Sequence, residues 1–455
     1  MSRPRPTDAV AASLDRIAAD GRDGIWITRV GAAEAMAAAA DVERRLAAGE
    51  DLPLAGLTLA VKDNTDVAGL PTTAGCPAYA YIPSDDAPVV AALVAAGVVV
   101  MGKTNMDQFA TGLVGTRSPY GVCPNVYGHD LVSGGSSSGS AVAVAAGLVD
   151  LGLGTDTAGS GRVPAAANGI VGFKPTRGRI STAGVVPACR SLDCVSVFAR
   201  SVPEAAQAVA IAALIAPDRD DPWSRLMPPT RLAQPGRVRL GAPTSAALDR
   251  ADGGDGRRHL AAAVEGFATS GLEVEWVEID LDPFLAAGRL LYGSAFVAER
   301  YEAVGAFIDQ HPGEVDPVVA SIILGAAEIP GWQVFEAQTE LRRLAALADD
   351  TWAQVDVLVL PTVPRLPTVA EVATDPIGVN ARLGTYTAFA NLLDLAVLSI
   401  PLGEAGPGAT EPPPSVSLMG PAGTDDLLAA IGARVGDQGV SRHPASDRPA
   451  IPRTA

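Results

Sequence analysis

The chain has 455 residues, 48% of them hydrophobic, and a formal net charge of −17. That balance supplies ample core material and excludes a nucleic-acid binder, which needs basic patches to meet phosphates. Its four cysteines (Cys76, Cys123, Cys189, Cys194) are too few for a disulfide scaffold and lack zinc-site spacing, so neither a metal nor any cofactor is expected.

No signal-peptide core follows the N-terminal Met-Ser-Arg-Pro-Arg-Pro, and the alanine-rich run near 32–40 is broken by Glu34 and Asp41. A cytoplasmic protein with no membrane span is expected. Apolar periodicity predicts amphipathic helices over 8–19 and 29–48. A strand over 57–61 then ends at Lys62-Asp63-Asn64. A helix over 88–96, with Pro88 in its first turn, leads to a buried strand over 98–101 and a helix near 106–111. Next come a Gly/Ser loop, a helix over 140–147, a strand over 151–155, a second small-residue loop around Ser160 and a helix or turn over 164–168. Strands over 170–173 and 195–199 precede a helix over 203–215, and 216–235 reads as a surface excursion. Beyond it lie a strand from Val238, a helix over 258–270, a strand over 274–279 and a long helical stretch over about 283–309. Helices over 316–328 and 332–350, a strand over 355–360, a helix over 385–393 and a strand over 396–400 follow. A Pro/Gly loop over 404–414 and a helix over 425–435 close the pattern, and 436–455 reads as a disordered tail. Alternating strand and helix argue for an α/β fold in one domain over 1–435, with N-terminal helices over about 1–50.

Two signature matches are set aside. Residues 97–104, Gly-Val-Val-Val-Met-Gly-Lys-Thr, fit a phosphate-loop spacing, but Val-Val-Val-Met belongs in a sheet ladder that consumes the N–H groups a phosphate needs. Gly135-Ser-Ser-Ser-Gly139 fits a hydrolase nucleophile elbow, but His129, His259, His311 and His443 read as solvated or capping residues rather than a positioned base.

A rarer feature is the lysine usage. The chain has only three, Lys62, Lys103 and Lys174, all in its first 174 residues. An amine loses its proton when buried, whereas a guanidinium does not. With histidine scarce, a desolvated Lys62 at the end of an apolar strand is the best base for a serine nucleophile in one of the two small-residue loops. Spacing alone does not say whether Ser136 or Ser160 is that nucleophile.

Gly134-Gly-Ser-Ser-Ser-Gly-Ser140 together with Gly154-Thr-Asp-Thr-Ala-Gly-Ser-Gly-Arg162 resembles the amidase signature family, over roughly residues 25–435. The resemblance implies a mixed β-sheet surrounded by helices and a Ser–cisSer–Lys triad. Carried over, Lys62 is the base, Ser136 the bridging cis-serine and Ser160 the nucleophile, with the N–H groups of Thr157, Ala158, Gly159 and Ser160 as oxyanion hole. Stretches 107–120, 157–168, 187–195 and 291–301 are similar to the allophanate hydrolase branch, in which a tyrosine and an arginine hold the substrate carboxylate; Tyr292 and Arg300 match them. Eight residues is a little over two helical turns, which puts both on one helix face. The competing reading pairs Arg300 with Glu299 or Glu302 on a helix surface.

The resemblance implies a small anionic amide substrate, allophanate (urea-1-carboxylate), in urea or s-triazine degradation, and a homodimer. Members of that branch commonly carry a further C-terminal domain that acts on the amidase product. A separate urea carboxylase or decarboxylating partner is therefore expected. The alternatives are an amidase of other small-amide specificity, the glutaminase subunit of a tRNA-dependent amidotransferase, and a catalytically inert binding protein. Acidity and the Tyr292/Arg300 pair weigh against the amidotransferase, and the intact triad residues against the inert protein.

Overall fold

A computed structural model describes residues 3–436 except 214, 215, 217, 228–236, 404 and 407. The predicted tail and His443 lie outside the described residues, apart from Gly436, which ends the last helix, Asp425–Gly436.

Eleven strands form one mixed sheet. In chain order they are β1 (Trp26–Arg29), β2 (Thr58–Lys62), β3 (Val99–Thr104), β4 (Leu151–Asp156), β5 (Val171–Lys174), β6 (Cys194–Ala199), β7 (Arg237–Pro243), β8 (Glu273–Ile279), β9 (Val357–Pro361), β10 (Leu395–Pro401) and β11 (Ser415–Pro421). Their spatial order is β1-β3-β2-β4-β6-β5-β10-β11-β9-β7-β8. β2 runs parallel to β3 and β4, and β7 to β8 and β9; the other pairings are antiparallel. The central strands β2, β4, β6, β10 and β9 are buried along their whole length, as their near-continuous apolar runs require. Alternation along each strand feeds two faces: Leu59 and Val61 join one apolar cluster with the helices Pro88–Ala95 and Val202–Ala212, while Ala60 joins another with the helix Ser138–Ala145. The α/β fold with a mixed sheet and enclosing helices is as the sequence implied.

The departures have local causes. Strands β1 and β11, and the helices Ser245–Asp252, Val369–Thr374 and Gly378–Leu383, carry too little periodic apolar pattern to be picked out. The helix expected near 106–111 is a single 3-10 turn, Gln108–Ala110, in which Phe109 (φ 47°) and Ala110 (φ 52°) adopt left-handed backbone. The helix expected over 385–393 shrinks to Phe389–Leu392. Asp221, within the expected surface excursion, is buried and accepts from Thr182 N and Oγ1. The phosphate-loop residues Val99–Thr104 are strand β3, paired on both sides.

Candidate active site

β2 and β4 are parallel neighbours, so Lys62, the last residue of β2, and Thr155, near the end of β4, emerge together. Carboxyl ends of parallel strands are where open α/β sheets leave room for a ligand. Lys62 is fully buried, its Nζ 2.8 Å from Ser136 Oγ and 2.8 Å from Thr155 Oγ1. Asn64 Nδ2 donates to the same Thr155 oxygen at 3.2 Å. Burial pushes the Lys62 pKa down to about 7, against the attraction of Asp107, Asp193 and Asp156.

The other two lysines are buried as well, with different partners. Lys103 Nζ is 2.8 Å from Thr72 Oγ1 and 3.6 Å from Asp63 Oδ1. Burial lowers its pKa and Asp63 opposes the shift. Lys174 Nζ donates to Pro175 O at 2.9 Å. All three therefore occupy sites that compactness of an amine permits, but only Lys62 faces the Gly/Ser loop.

That loop is seated on β4 by its own hydroxyls. Ser137 Oγ donates to Thr155 O at 3.1 Å and accepts from Thr155 N at 3.3 Å, and Ser140 Oγ donates to Leu153 O at 2.7 Å. Gly139 permits the close approach, since a Cβ there would lie 2.4 Å from Ile25 O. These bonds leave Ser136 as the loop residue at Lys62, and the Gly135–Ser136 peptide is cis. Ser137, centre of the apparent nucleophile elbow, is committed to the backbone.

The second loop hangs on Asp156, which ends β4. Its carboxylate accepts from Gly159 N and Gly161 N, each at 2.9 Å, and from Arg162 Nε and Nη2, each at 2.8 Å. Arg162 also donates to Thr387 O at 2.9 Å and Asn391 Oδ1 at 3.0 Å, and Asn391 Nδ2 returns to Asp156 O at 2.7 Å. Every member of this network is buried. Burial works to raise the Asp156 pKa, but the two-pronged contact with Arg162 outweighs it and holds the carboxyl below its ordinary value. Gly159 has φ +140°, and a Cβ there would lie 2.4 Å from Thr387 Oγ1, so no other residue fits. Ser160 is 3% exposed in the same loop.

One expectation needs correction here. The N–H of Gly159 is given to Asp156, so it is not a free member of the four-donor oxyanion hole. The N–H groups of Thr157, Ala158 and Ser160 have no partner among the described residues. Thr157 is further fixed through Oγ1, 2.5 Å from Asp193 Oδ1. Burial raises the Asp193 pKa.

The long helix expected over 283–309 is broken. The helix Asp282–Gly293 stops at Ser294, whose backbone is extended (φ −144°, ψ −169°); a 3-10 turn, Ala295–Val297, then leads into the helix Ala298–Gln310. Tyr292 and Arg300 thus stand on different helices, and the argument from one helix face fails. They still meet: Arg300 Nη2 donates to Tyr292 Oη at 3.1 Å, and Nη1 to Thr111 Oγ1 at 2.9 Å. Arg300 is 1% exposed and Tyr292 36%. Glu299 is taken by Ser191 N at 2.8 Å, and Glu302 pairs with Arg190 at 3.5 Å, so neither holds Arg300.

Sequence reasoning missed Thr155, Asp156, Arg162, Thr111 and Asn391 as builders of the site. Asp156 and Arg162 lie inside the quoted signature; Asn391 had no signal, since its role depends on contacts more than two hundred positions away. His259 was read as solvated or capping and is neither. It is 2% exposed, accepts from Ser415 N at Nδ1 (2.9 Å), and its Nε2 lies 3.0 Å from Pro364 O. Burial lowers its pKa to about 4, which keeps it a neutral structural ring.

Fold and site together define a class. The amidase family profile matches residues 8–429, and the chain belongs to that family, hydrolases of amide C–N bonds. Within it the chain is similar to allophanate hydrolases. It is 38% identical to a solved allophanate hydrolase from Kluyveromyces lactis, with a TM-score of 0.85 over 98% of this chain and 76% of that one. It is 46% identical over 389 residues to a urea amidolyase of Lachancea kluyveri, covering 85% of this chain but only 21% of that protein. A glutamyl-tRNA(Gln) amidotransferase subunit from Thermus thermophilus is 36% identical over 402 residues, 83% of each chain.

Proposed function

We propose that this chain hydrolyses allophanate, releasing ammonia, with Ser160 as nucleophile, Ser136 as proton relay and Lys62 as base. The observation that carries the reading is Lys62: fully buried, 2.8 Å from Ser136 Oγ, with its pKa lowered to about 7 by burial. A neutral amine donates one N–H to Thr155 Oγ1 and keeps a lone pair for the Ser136 proton. Ser160 Oγ attacks the amide carbon and passes its proton to Ser136 Oγ, while the Ser136 proton moves to Lys62 Nζ. The tetrahedral oxyanion takes N–H bonds from Thr157, Ala158 and Ser160. The Lys62 proton then returns through Ser136 to the leaving nitrogen, the C–N bond breaks, and ammonia departs. Water repeats the sequence on the acyl-enzyme and frees Ser160.

Arg300 and Tyr292 hold the substrate carboxylate, the guanidinium by its planar fork and the phenol by its free proton. The same triad would serve a glutaminase subunit, a reading favoured by the near-equal coverage with the amidotransferase chain. Ammonia release from allophanate, malonamate, biuret and glutamine, measured side by side without ATP or tRNA, tests the assignment. Turnover should be fastest with allophanate; glutamine as the preferred substrate would overturn it.

A further inference from the structure

A cavity of about 480 Å³ adjoins the Tyr292/Arg300 pair. Tyr292 stands in its wall, whereas Lys62, Ser136, Ser160 and Arg300 do not. None of its twelve lining residues is acidic, although the chain carries 51 acidic residues against 34 basic ones. The one full charge in the wall is Arg117, which is 3% exposed and forms no ion pair among the described residues. Its Nη1 donates to Thr111 O at 2.9 Å and its Nη2 to Pro376 O at 2.6 Å, while Nε has no partner. A guanidinium held by carbonyls alone keeps its charge, and in a low-dielectric wall it keeps its field.

The neutral polar groups of the wall differ as donors. Tyr292 Oη accepts from Arg300 and its single proton is kept for the first carboxylate, so that group adds none. Asn380 Oδ1 accepts from Leu113 N at 2.7 Å, which leaves the NH2 end of that amide over. Ile322, Ile329 and Ile377 make up much of the remaining wall.

We infer that this cavity is a second carboxylate-binding site, for small organic acids, beside the Tyr292/Arg300 pair. A guanidinium without an ion pair, a wall without carboxylates (from Arg117, Asp107 accepts only the backbone N–H) and three isoleucines suit a carboxylate on a short carbon body better than a fully hydrated inorganic anion. Its position gives it a use. A chain of net charge −17 repels an anionic substrate, and a local positive field next to the reading pair gathers it. The inference rests on the proposed function only in taking Arg300 as the first carboxylate site, and it does not depend on which amide is cleaved.

Equilibrium dialysis of radiolabelled malonate against the Ser160→Ala chain at low ionic strength counts the sites without turnover. Two malonates per chain are expected, one lost in Arg117→Met and the other in Arg300→Ala. Because Arg117 also supports Thr111, Ile377→Glu supplies an independent variant. Ile377 is 60% exposed in the wall, and a carboxylate there should weaken the second site about tenfold or more and spare the first. One malonate that depends on Arg300 and not on Arg117 overturns the inference, as does a second site unmoved by both Arg117→Met and Ile377→Glu. One malonate that depends on Arg117 and not on Arg300 upholds it and overturns the reading of the Tyr292/Arg300 pair. Inorganic phosphate should displace the second malonate about tenfold less well than malonate does; equal displacement overturns the organic-acid assignment.

Discussion

Lys62, Ser136 and Ser160 sit where two short loops meet the ends of β2 and β4, whereas Tyr292 and Arg300 come from two helices joined across a break at Ser294. In the first region loop side chains are tied to backbone, Ser137 to Thr155 and Ser140 to Leu153 on β4 and Asp156 to Gly159 and Gly161 in its own loop, while Lys62 bonds Ser136 and Thr155 through their hydroxyls. In the second, Arg300 bonds Tyr292 and Thr111 through side chains and Ala110 O at 3.4 Å, with Tyr292 partly open to solvent. The backbone-tied region can position a reacting atom for any amide. Under the proposed function, substrate choice belongs to the helical region, which can change its partners without disturbing the sheet.

That comparison is sharpest where one region is broken alone. Ser160→Ala should abolish hydrolysis of every amide, by about four orders of magnitude or more, with the fold kept. Adding Lys62→Ala should cost little further, because the residues act as a unit. Normal single-turnover ammonia release by Ser160→Ala would remove it as nucleophile.

Asp156→Ala breaks a buried pair and strands Arg162, so unfolding free energy should fall by about 3–5 kcal/mol, read by denaturant titration. Allophanate and neutral amides should suffer alike, since Asp156 supports the loop rather than the substrate. A loss confined to allophanate would place Asp156 in the specificity region instead.

Arg300→Ala should lower kcat/KM for allophanate by roughly 30- to several-thousand-fold, from the ~2–5 kcal/mol that a buried charged hydrogen bond commands. A neutral small amide should lose far less, and Arg300→Lys should rescue only in part. Equal losses on both substrates would mean that Arg300 supports the fold.

The pH profile probes the first region by itself. Lys62 accepts a proton only when neutral, so kcat/KM should rise about tenfold per unit up to its pKa of about 7 and level off above it. A rise that continues to pH 10 would show an ordinary lysine.

A further effect concerns stability. An exposed lysine titrates near ~10.4. Between about 7 and that value the unfolded chain holds a proton that folded Lys62 has lost. Lys62 therefore costs stability at pH 7, and the cost fades as pH rises. Lys62→Met should raise the Tm at pH 7, with the gain shrinking toward pH 10; a gain that grows with pH would reverse the sign argued here.

The sequence by itself determined the class and the elements that are strongly periodic. Buried strands such as β2, β4 and β10 announce themselves as continuous apolar runs, and the two Gly/Ser loops stand out because such runs bracket them. The scarcity of lysine pointed to three special positions, and all three are buried. Only the tertiary structure decided what each position does. Lys103 meets Asp63 while Lys62 meets hydroxyls, a difference set by neighbours 40 to 93 positions away. The break at Ser294 was invisible because residues 283–309 keep a helical pattern on both sides of it, yet it is this break that joins Tyr292 to Arg300. The Gly159 N–H was counted as free although Asp side chains commonly turn back on N–H groups two or three residues on, as Asp156 does here. Periodicity reports which face of a segment is buried. Which group waits on the other side of that face depends on long-range packing, and it is such packing that brings Lys62 to Ser136 and Arg300 to Thr111.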